Sequence, residues 1–594
     1  MARARLWGCL LLVGVLYVFH VHLKTAKIFS NPTWNAQEET GQFWSEAAFQ
    51  YRFAKFFAQH PPGDWGQLSR DQDVQHPDTV DDWAEFTVAM EVPAGVIHRW
   101  WQPAMPFHVF VVWYDCLVSS LSLFAVFFLA RALWRSDGAG LFGAVLYAGL
   151  YPSYGRTVKN LFLREDFAIP LILFALVFTV RALQEPGNRG PAAISPSRGT
   201  AVDQVLAALF WLAALASWHL TQFVMAPFVA AAVLVYLGKG RTPRLPWFVI
   251  VLAAGTLLVP VLRAKQVFLS PTMCVLYALA LAVWINGGRR RAMRIFAGSL
   301  ALCLLLGMLF QKSTGEYAHV YALFFAKLRC LGVKPSDPSK LPWEARVLWE
   351  GAFNTADGHE FKHSLAWCLP LSVLALLYPG RGRDVAPRIF ALFTLMLFPL
   401  SWMVVRYFTF LGFAAAVMAA GLWTRKIWGK AAVVAAAAAQ LAALDFAPLD
   451  RTQPQPAEYA PVVRWLDDHT PSNAVVLATI TESPVFWAHT GRPIILHPKF
   501  ENREIRERYR EFLDAIYGGE DGFYEFARRY GADYFVYDTG FLYNAEESRR
   551  YKADKLGPLP PDCAAVLFQE HPEQLQHFRL ELAAGRFSIF QVAR

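Results

Sequence analysis

The stretch FLREDFAIPLILFALVF, residues 162–178, sets Arg164, Glu165 and Asp166 directly against an apolar run of membrane-spanning character. Ionisable groups in or beside such runs are costly to bury unless they are paired, which makes them functional hypotheses by default. A guanidinium there suits a phosphate, which it binds through charge-assisted hydrogen bonds in a two-pronged geometry. The two carboxylates would orient the guanidinium, bind a divalent metal or form a structural ion pair.

A second arginine, Arg406, lies between two later apolar runs, on the same predicted face of the membrane as Arg164. A lone arginine in such a place would simply anchor a helix end, with its charge extended toward the headgroups. Two guanidiniums that face one cavity favour a phosphate site instead.

The remaining candidates on this face are acids, histidines and one amide. Glu46 lies on a predicted helix, where a solvated position is the simpler interpretation. His219 and Gln222 are three residues apart and are predicted to share a helical face. A histidine such as His319, after a polar stretch, is more often structural than catalytic. Asp115 lies inside an apolar run and must be paired or face a cavity.

The composition predicts the elements that position these residues. Of 594 residues, 55% are hydrophobic and 17% are charged, against about 25% charged in soluble proteins. Apolar runs of about 18 residues, the length of transmembrane helices, recur as far as Ala447. The chain is therefore predicted to be a polytopic α-helical protein of the lipid bilayer. Its net charge of +9 indicates basic cytoplasmic loops rather than a nucleic-acid partner.

The apolar runs give about thirteen candidate spans, the first of which is interpreted as a retained helix rather than a cleaved signal peptide. The spans are 6–23, 107–130, 139–154, 166–183, 203–217, 220–237, 246–262, 268–286, 295–311, 364–378, 389–404, 407–423 and 431–447. With the N-terminus cytoplasmic, every short alternate loop is basic, as the positive-inside rule requires.

This topology places four segments on the far side, which is the ER lumen or the outside of a prokaryotic plasma membrane. They are the large loop 24–106, the turn 155–165, the late loop 312–363 and the tail. Two domains follow: 1–448 in the membrane and 449–594 outside it.

The polar segments have predictable structure of their own. Residues 45–59 read as a helix along the membrane surface, and 71–86 as an acidic loop followed by a second helix. In the tail, PAEYAPVVRWLDDHT predicts a helix, and charged helices are expected around 502–530. The runs NAVVLATI, RPIIL, ADYFVYD and RFSIFQVAR predict strands. Helices that alternate with strands indicate an α/β domain, and no nucleotide-binding glycine motif occurs in the chain.

Seven cysteines without a CxxC pair argue against a zinc site or a dense disulfide framework. One bridge, between Cys330 and Cys563, remains an option.

At this point the segments resemble a family, the protein C-mannosyltransferases or dumpy-nineteen family of the GT-C membrane glycosyltransferases. The resemblance is carried by LREDFAIPLILF (163–174), SWHLTQFVM (217–225), AHVYALFFAKLRCLG (318–332), RYFTFLGFAAAVMAAGL (406–422), LHPKFENREIRERYREFLDAIYG (496–518) and ADYFVYD (532–538).

The resemblance implies thirteen spans, a large first luminal loop and a luminal C-terminal domain. It also implies transfer of mannose from a polyprenyl (dolichyl) phosphate to C2 of a tryptophan in a secretory or membrane polypeptide. Arg164 and Arg406 would stabilise the leaving phosphate, and Glu46 in SEAAFQYRFAK would be the general base. Glu165, Asp166, His219, Gln222, His319 and Asp115 would support the site. No cofactor or metal is needed if the arginines carry the phosphate.

Two features depart from the family pattern: His219 stands where the family often has Gln, and DVQHPDTVDDWAEF is equally similar to the oligosaccharyltransferase catalytic subunit. The Trp-Trp-Asp-Tyr-Gly run of that subunit is absent, and TITESPVFW occupies the comparable place. One alternative is therefore an oligosaccharyltransferase-like enzyme acting on Asn, with Glu46, Glu165 and Asp166 as metal ligands. Another is a lipid or solute transporter, against which the large polar loop and the folded tail argue.

Overall fold

The computed structural model describes residues 2–184, 198–239, 243–285, 288–310, 317–377, 384–449, 455–554 and 557–594. Eight helical segments in this part of the chain are long and apolar enough to cross a membrane. They are Arg3–Phe29, Phe107–Trp134, Arg164–Leu183, Thr200–Ser217, Thr221–Gly238, Arg290–Leu309, Val385–Met403 and Val405–Thr424.

Every one of the thirteen predicted spans coincides with an apolar helix. Five of these helices are shorter than the rest. They have 10 to 16 residues, whereas about 20 are needed to cross a bilayer along its normal. They are Asp137–Ala148, Pro246–Leu258, Pro271–Ile285, Cys368–Leu377 and Ile427–Ala442. The polytopic helical architecture is thus confirmed, and the count of thirteen stays a prediction.

The two spans that begin with the candidate arginines are the most enclosed of the long helices. Within Val405–Thr424 and Arg164–Leu183, 89% and 72% of the most apolar 18 residues are buried, compared with 11% in Arg290–Leu309. A helix that is apolar all round belongs in the interior of a bundle. Both arginines therefore stand at the ends of central helices, where their charges meet protein rather than lipid.

Short helices lie in the connections between spans that are predicted to be on the far side. Their bounds are Gly155–Asn160, Pro260–Ala264, Ala318–Arg329, Trp343–Leu348 and Gly358–Leu365. Single 3-10 turns occur at Tyr151–Ser153, Val267–Leu269, Pro338–Lys340, Gly351–Phe353, Val405–Tyr407 and Gly421–Thr424.

The first large loop contains the predicted helix, Glu46–Gln59, but that helix does not lie on a membrane surface. Nine of its fourteen residues are buried, and the rings of Phe49 and Phe53 each lie 5.5 Å from the ring of Trp487 in the tail. The prediction of a surface helix was wrong because the polar positions that alternate with these aromatics face the tail and other loops instead of water.

The acidic segment 71–86 is a loop, as predicted, but its helix is a single turn, Asp82–Glu85. A 3-10 helix, Pro62–Arg70, precedes it, and the longer helix of this region, Glu91–Trp101, follows it.

The tail is an α/β layer, as predicted. Its helices are Pro456–His469, Ser483–Thr490, Arg503–Ile516, Glu520–Arg529, Glu546–Lys552 and Ala564–Glu570, with turns at Thr539–Tyr543 and Pro572–Gln574. Its strands are β1 Val476–Leu477, β2 Tyr534–Asp538, β3 Phe578–Ala584 and β4 Phe587–Val592. They form one sheet in the order β1-β2-β4-β3, with β1 parallel to β2 and the other pairs antiparallel.

The sheet buries both faces, since successive side chains of a strand point to opposite sides. Phe535 and Tyr537 join a core with the tail helices. Tyr534 and Val536 join another, which also contains Phe110 and Leu161 from the membrane part of the chain. The tail and the membrane domain therefore share a hydrophobic core.

Three details of the tail differ from the prediction. RPIIL supplies a single bridge, from Ile494 to Val476, rather than a strand. The strand β3 was not predicted, and only Phe578 of its seven residues is buried. None of the seven cysteines, all within the described ranges, forms a disulfide, so the Cys330–Cys563 bridge is absent.

Candidate active site

A cavity of about 410 Å³ lies where the ends of the central spans that carry Arg164 and Arg406 meet the tail. It brings together residues from the first loop, the central spans and the tail. Its charged and histidine lining includes Glu46, Arg156, Arg164, His219, His319, Glu350, Arg406, Lys499, Glu501 and Lys552. Five of the nine sequence-predicted site residues therefore face one space, although hundreds of residues separate some of them.

Glu46 is the first residue of its helix, and its side chain is 37% exposed to the cavity. Its Oε1 lies 3.7 Å from Lys499 Nζ and its Oε2 lies 3.9 Å from a terminal nitrogen of Arg406. Both distances exceed a direct hydrogen bond, so the carboxylate is flanked by two cations with space for another group.

Arg406 forms an ion pair with Glu165. Its Nε donates to Glu165 Oε2 at 2.9 Å, and the other oxygen of the same carboxylate accepts from Arg156. The Arg406 guanidinium also lies over the rings of Trp218 and Phe353, at 5.3 and 5.6 Å from their centroids. Glu165 thus bridges two arginines that line the cavity.

Arg164 reaches the cavity from a different anchor. Its Nε donates to Glu91 Oε1 at 2.8 Å, with side chains 4% and 0% exposed. One terminal nitrogen of Arg164 is buried with no hydrogen-bond partner among the described residues. Such an unsatisfied buried donor is costly, and Oε2 of its partner Glu91 is likewise buried without a hydrogen-bond partner among the described residues.

Asp166 and Asp115 do not face the cavity. Asp166 accepts from the Thr157 hydroxyl at 2.6 Å, and Asp115 accepts from the backbone N–H of Phe162 at 3.0 Å. Both are buried. Each aspartate thus has its own hydrogen-bond partner inside the protein. For Asp115, this is one of the two options that the sequence left open.

His219 and Gln222 do not share a helical face. One span ends at Ser217 and the next begins at Thr221, so His219 lies in the turn between them. His219 Nε2 is 3.7 Å from Glu501, and Nδ1 is 3.2 Å from the Tyr317 hydroxyl. Gln222, in the first turn of the following helix, is outside the cavity lining.

His319 lines the cavity from the first turn of Ala318–Arg329. Its Nδ1 accepts from Arg506 at 3.4 Å, and its ring lies edge-on to Phe500.

The sequence reasoning missed six charged residues of the site: Glu91, Arg156, Glu350, Lys552, Lys499 and Glu501. The last two lie in the segment HPKFE of the tail, which the sequence analysis used only as part of the family resemblance. The sequence feature that could have identified them is their position immediately after an apolar run, next to a His-Pro pair.

The tail residues shift one another's pKa in this crowded site. Burial lowers the pKa of Lys499, and Arg164 adds to that effect. Burial acts to raise the pKa of Glu501, but Lys499 and His219 bring it down to about 2. Burial also lowers the pKa of His219 to about 3. At neutral pH, Glu501 is therefore a carboxylate and His219 is a neutral imidazole.

The carboxylates named for a metal in the oligosaccharyltransferase-like alternative do not converge. Glu165 is engaged by two arginines, Asp166 points to Thr157, and Glu46 stands across Arg406 from both. In the described ranges, no three His, Cys, Asp or Glu side chains are grouped to hold a metal ion. This ligand set does not fit a metal as it is arranged.

The first half of the chain matches a known family. The model of the family Dpy19, described as Q-cell neuroblast polarisation, matches residues 11–329. The chain belongs to the Dpy19 family. The match includes Glu46, Arg164 and His219, and it ends before Arg406 and the tail. No curated protein matches this Dpy19 chain in sequence.

Solved structures extend the likeness to the whole chain. One is the archaeal oligosaccharyltransferase AglB from Archaeoglobus fulgidus in complex with an inhibitory peptide and a dolichol-phosphate. It has a TM-score of 0.67 and 12% identity over 97% of this chain and 79% of that one. The apo form of the Archaeoglobus fulgidus oligosaccharyltransferase has a TM-score of 0.63 and 12% identity, over 91% and 71% of the two chains.

At that identity the likeness shows the fold, which is that of the GT-C glycosyltransferases. This Dpy19 protein is a multi-pass membrane glycosyltransferase with a C-terminal sheet domain.

Proposed function

We propose that this Dpy19 protein transfers mannose from a polyprenyl-phosphate donor, such as dolichyl phosphate mannose, to C2 of a tryptophan indole in an acceptor polypeptide. The family supports a sugar transfer. A lipid-linked donor and a peptide acceptor are supported by the archaeal relative in fold, whose structure holds an inhibitory peptide and a dolichol-phosphate.

One observation carries the proposal: a carboxylate and two arginines face the same cavity. Glu46 lies 3.9 Å from Arg406, and Arg164 lines the same space with an unsatisfied nitrogen. The reaction needs cations where a phosphate leaves and a base where a proton is lost. These three residues supply both.

The step balances in atoms and electrons. The indole C2 attacks the anomeric carbon, a C–C bond forms, and the bond from that carbon to the phosphate oxygen breaks. The phosphate leaves with the bonding electron pair, and its charge is stabilised by Arg164 and Arg406. The proton on C2 passes to Glu46, and aromaticity returns.

The cavity also suits an aromatic acceptor. Trp44, Trp218 and Phe353 line it beside the charged groups. An indole packs well against such rings, in offset or edge-to-face contact. We therefore place the acceptor side chain on this wall, within reach of Glu46.

We propose no cofactor for the transfer. The leaving phosphate is surrounded by cations of the chain itself, since Arg156 and Lys499 line the cavity beside Arg164 and Arg406. A divalent metal would enter only with the oligosaccharyltransferase-like reaction on Asn, for which the carboxylates would have to turn away from their arginines.

We place the cavity on the far side of the membrane, with the N-terminus in the cytoplasm. The basic alternate loops support this orientation. Such a site receives acceptor polypeptides in the ER lumen or outside a prokaryotic plasma membrane.

The test uses purified protein in detergent, a polyprenyl-phosphate-mannose donor and a Trp-x-x-Trp peptide. Mass spectrometry with fragmentation locates one added hexose on tryptophan. Glu46→Gln is expected to lose the product. Glu350→Gln, which removes a cavity carboxylate that pairs with Lys552 at 2.8 Å, is the matched control and is expected to keep it. A folded wild type that yields no hexosyl-tryptophan would refute the mannose-to-tryptophan assignment.

A further inference from the structure

The turn before Glu46 is docked on the C-terminal domain. Gly41 has φ +73°, and a Cβ at this position would lie 2.7 Å from a ring carbon of Tyr459. The Gly41 N–H also points to His489 Nε2 at 3.3 Å. The segment from Gly41 to Glu46 therefore follows the surface of the tail.

The strongest contact of this turn is between Trp44 and Glu482. The indole Nε1 of Trp44 donates to Glu482 Oε1 at 3.0 Å, and the Tyr459 hydroxyl donates to Oε2 of the same carboxylate. Glu482 is 1% exposed. Both of its oxygens are thus committed, one to the turn and one to the tail.

The residue between Trp44 and Glu46 has a strained backbone. Ser45 has φ 53° and ψ −121°, and its side chain makes no capping hydrogen bond. A non-glycine residue rarely adopts positive φ, and it persists there only where its surroundings impose it. The residue before Ser45, Trp44, is hydrogen-bonded to Glu482. The residue after it, Glu46, lies near the cations Lys499 and Arg406.

We propose that Glu482 is a positioning residue of the transferase, which holds the Trp44–Ser45 turn in its strained form and thereby aims Glu46 into the cavity. The inference rests on the proposed role of Glu46 as the base. It gives the tail a task in the reaction beyond lining the cavity, because the last domain of the chain sets the place of a residue near its start.

Geometry explains why a small change here matters. Glu46 begins its helix, so the turn at Ser45 fixes where its carboxylate emerges. If Ser45 relaxes to negative φ, the path of residues 44 to 46 changes and Glu46 leaves its place between Lys499 and Arg406. A displacement of about 1 Å at a reacting group costs on the order of 100-fold in rate.

The test compares three variants in the sugar-transfer assay. Glu482→Ala is expected to lower kcat at least about tenfold, with the donor KM within about twofold of wild type, because the phosphate site is untouched. Glu482→Gln keeps an acceptor for Trp44 and a partner for Tyr459, and is expected to stay near wild type. Glu482→Ala with Ser45→Gly is expected to recover part of kcat, because glycine adopts positive φ without strain.

A merely structural role of Glu482 would not be relieved by glycine at residue 45. If Glu482→Ala keeps full kcat, or if adding Ser45→Gly gives no recovery, the inference is overturned. Should Glu482→Ala fail to fold, Trp44→Phe removes the indole N–H donor together with the pyrrole ring, while an aromatic ring stays on the cavity wall. The same loss of kcat is then expected, and unchanged kcat in Trp44→Phe would overturn the inference.

Hydrogen exchange separates this inference from the proposed function. The amide of Ala47, which donates to the Trp44 carbonyl at 3.1 Å, should exchange faster in Glu482→Ala and slow again when Ser45→Gly is added. If Glu46→Gln retains activity while this exchange pattern holds, the base assignment fails and the positioning of the turn stands. If Glu46→Gln is inactive while the exchange of Ala47 is unchanged in Glu482→Ala, the positioning fails and the base assignment stands.

Discussion

Glu165 forms an ion pair with Arg406: the arginine Nε lies 2.9 Å from one carboxylate oxygen, while the other oxygen accepts a hydrogen bond from Arg156. The carboxylate is 1% exposed, so its charge is balanced almost entirely by these two guanidiniums. The terminal nitrogens of Arg406 are left toward Glu46 and the cavity. A buried acid in the first turn of a membrane-spanning helix therefore holds two guanidiniums at the cavity, where we propose that the donor phosphate binds.

We expect Glu165→Gln to weaken donor binding. The change removes the negative charge that holds both arginines, and loss of a charge-assisted hydrogen bond is worth about 1.5–3 kcal/mol. The donor KM should therefore rise about tenfold or more, with a smaller effect on acceptor KM. Steady-state kinetics with varied donor checks this, and Glu350→Gln is the control. An unchanged donor KM would show that Glu165 does not organise the phosphate site.

We expect Arg164→Gln to lose both activity and stability. The variant leaves Glu91 buried without its partner, and breaking a buried ion pair costs about 3–5 kcal/mol. The double variant Arg164→Gln with Glu91→Gln removes both charges and should regain much of the thermal stability while remaining inactive. Melting in detergent and the transfer assay give the two readouts. Activity in the stable double variant would mean that Arg164 serves only as an ion-pair partner.

We expect His219→Gln to keep activity within about tenfold, which is less than a proton-transfer residue contributes. Burial lowers the pKa of His219 to about 3, so the ring is neutral and does not titrate between pH 5.5 and 8. Glutamine offers a donor and an acceptor in the same region. A pH–rate profile of wild type and variant tests this. If a step near pH 6.5 is present in wild type and lost in the variant, His219 is a proton carrier after all.

We expect the stability that Glu482 contributes to fall as the pH rises from about 5 to 8. Burial raises the pKa of Glu482 to about 7, and Asp538 adds to this, while Tyr459, Trp44 and Arg586 oppose it. Between the ordinary glutamate value and 7, the folded state binds more protons than the unfolded state. Stability therefore decreases with pH in this window.

The measurement is the melting temperature of wild type minus that of Glu482→Gln, at several pH values. The difference should decline across the window, since glutamine cannot ionise. A difference that is constant with pH would contradict the raised pKa of Glu482.

The sequence was most informative where one physical rule dominates. Hydrophobic run length located the apolar helices, and the period of the tail strands and helices indicated its α/β layer. Arg164 and Arg406 were predictable because charges at the ends of apolar runs need partners. Their actual partners were not predictable, because Glu91 and Glu165 are chosen by the tertiary packing of separate helices.

Other misses have the same cause. His219 was predicted to share a helical face with Gln222, but the chain turns at that point. Only tertiary packing decides where one apolar helix ends and the next begins. Lys499 and Glu501 were not singled out, because nothing local reveals that the tail folds back over the first loop. The helix Glu46–Gln59 looked amphipathic, although the faces that alternate along it are covered by Trp487 and its neighbours.

The bond between Trp44 and Glu482 spans 438 residues of sequence. During synthesis the first of these residues emerges long before the second, so the turn that carries Glu46 has no support until the C-terminal domain has been made and has docked. If Glu46 and the two arginines act as proposed, a chain without that domain carries the arginines but no positioned base. On that proposal, transfer begins only after the C-terminal domain has folded against the first loop.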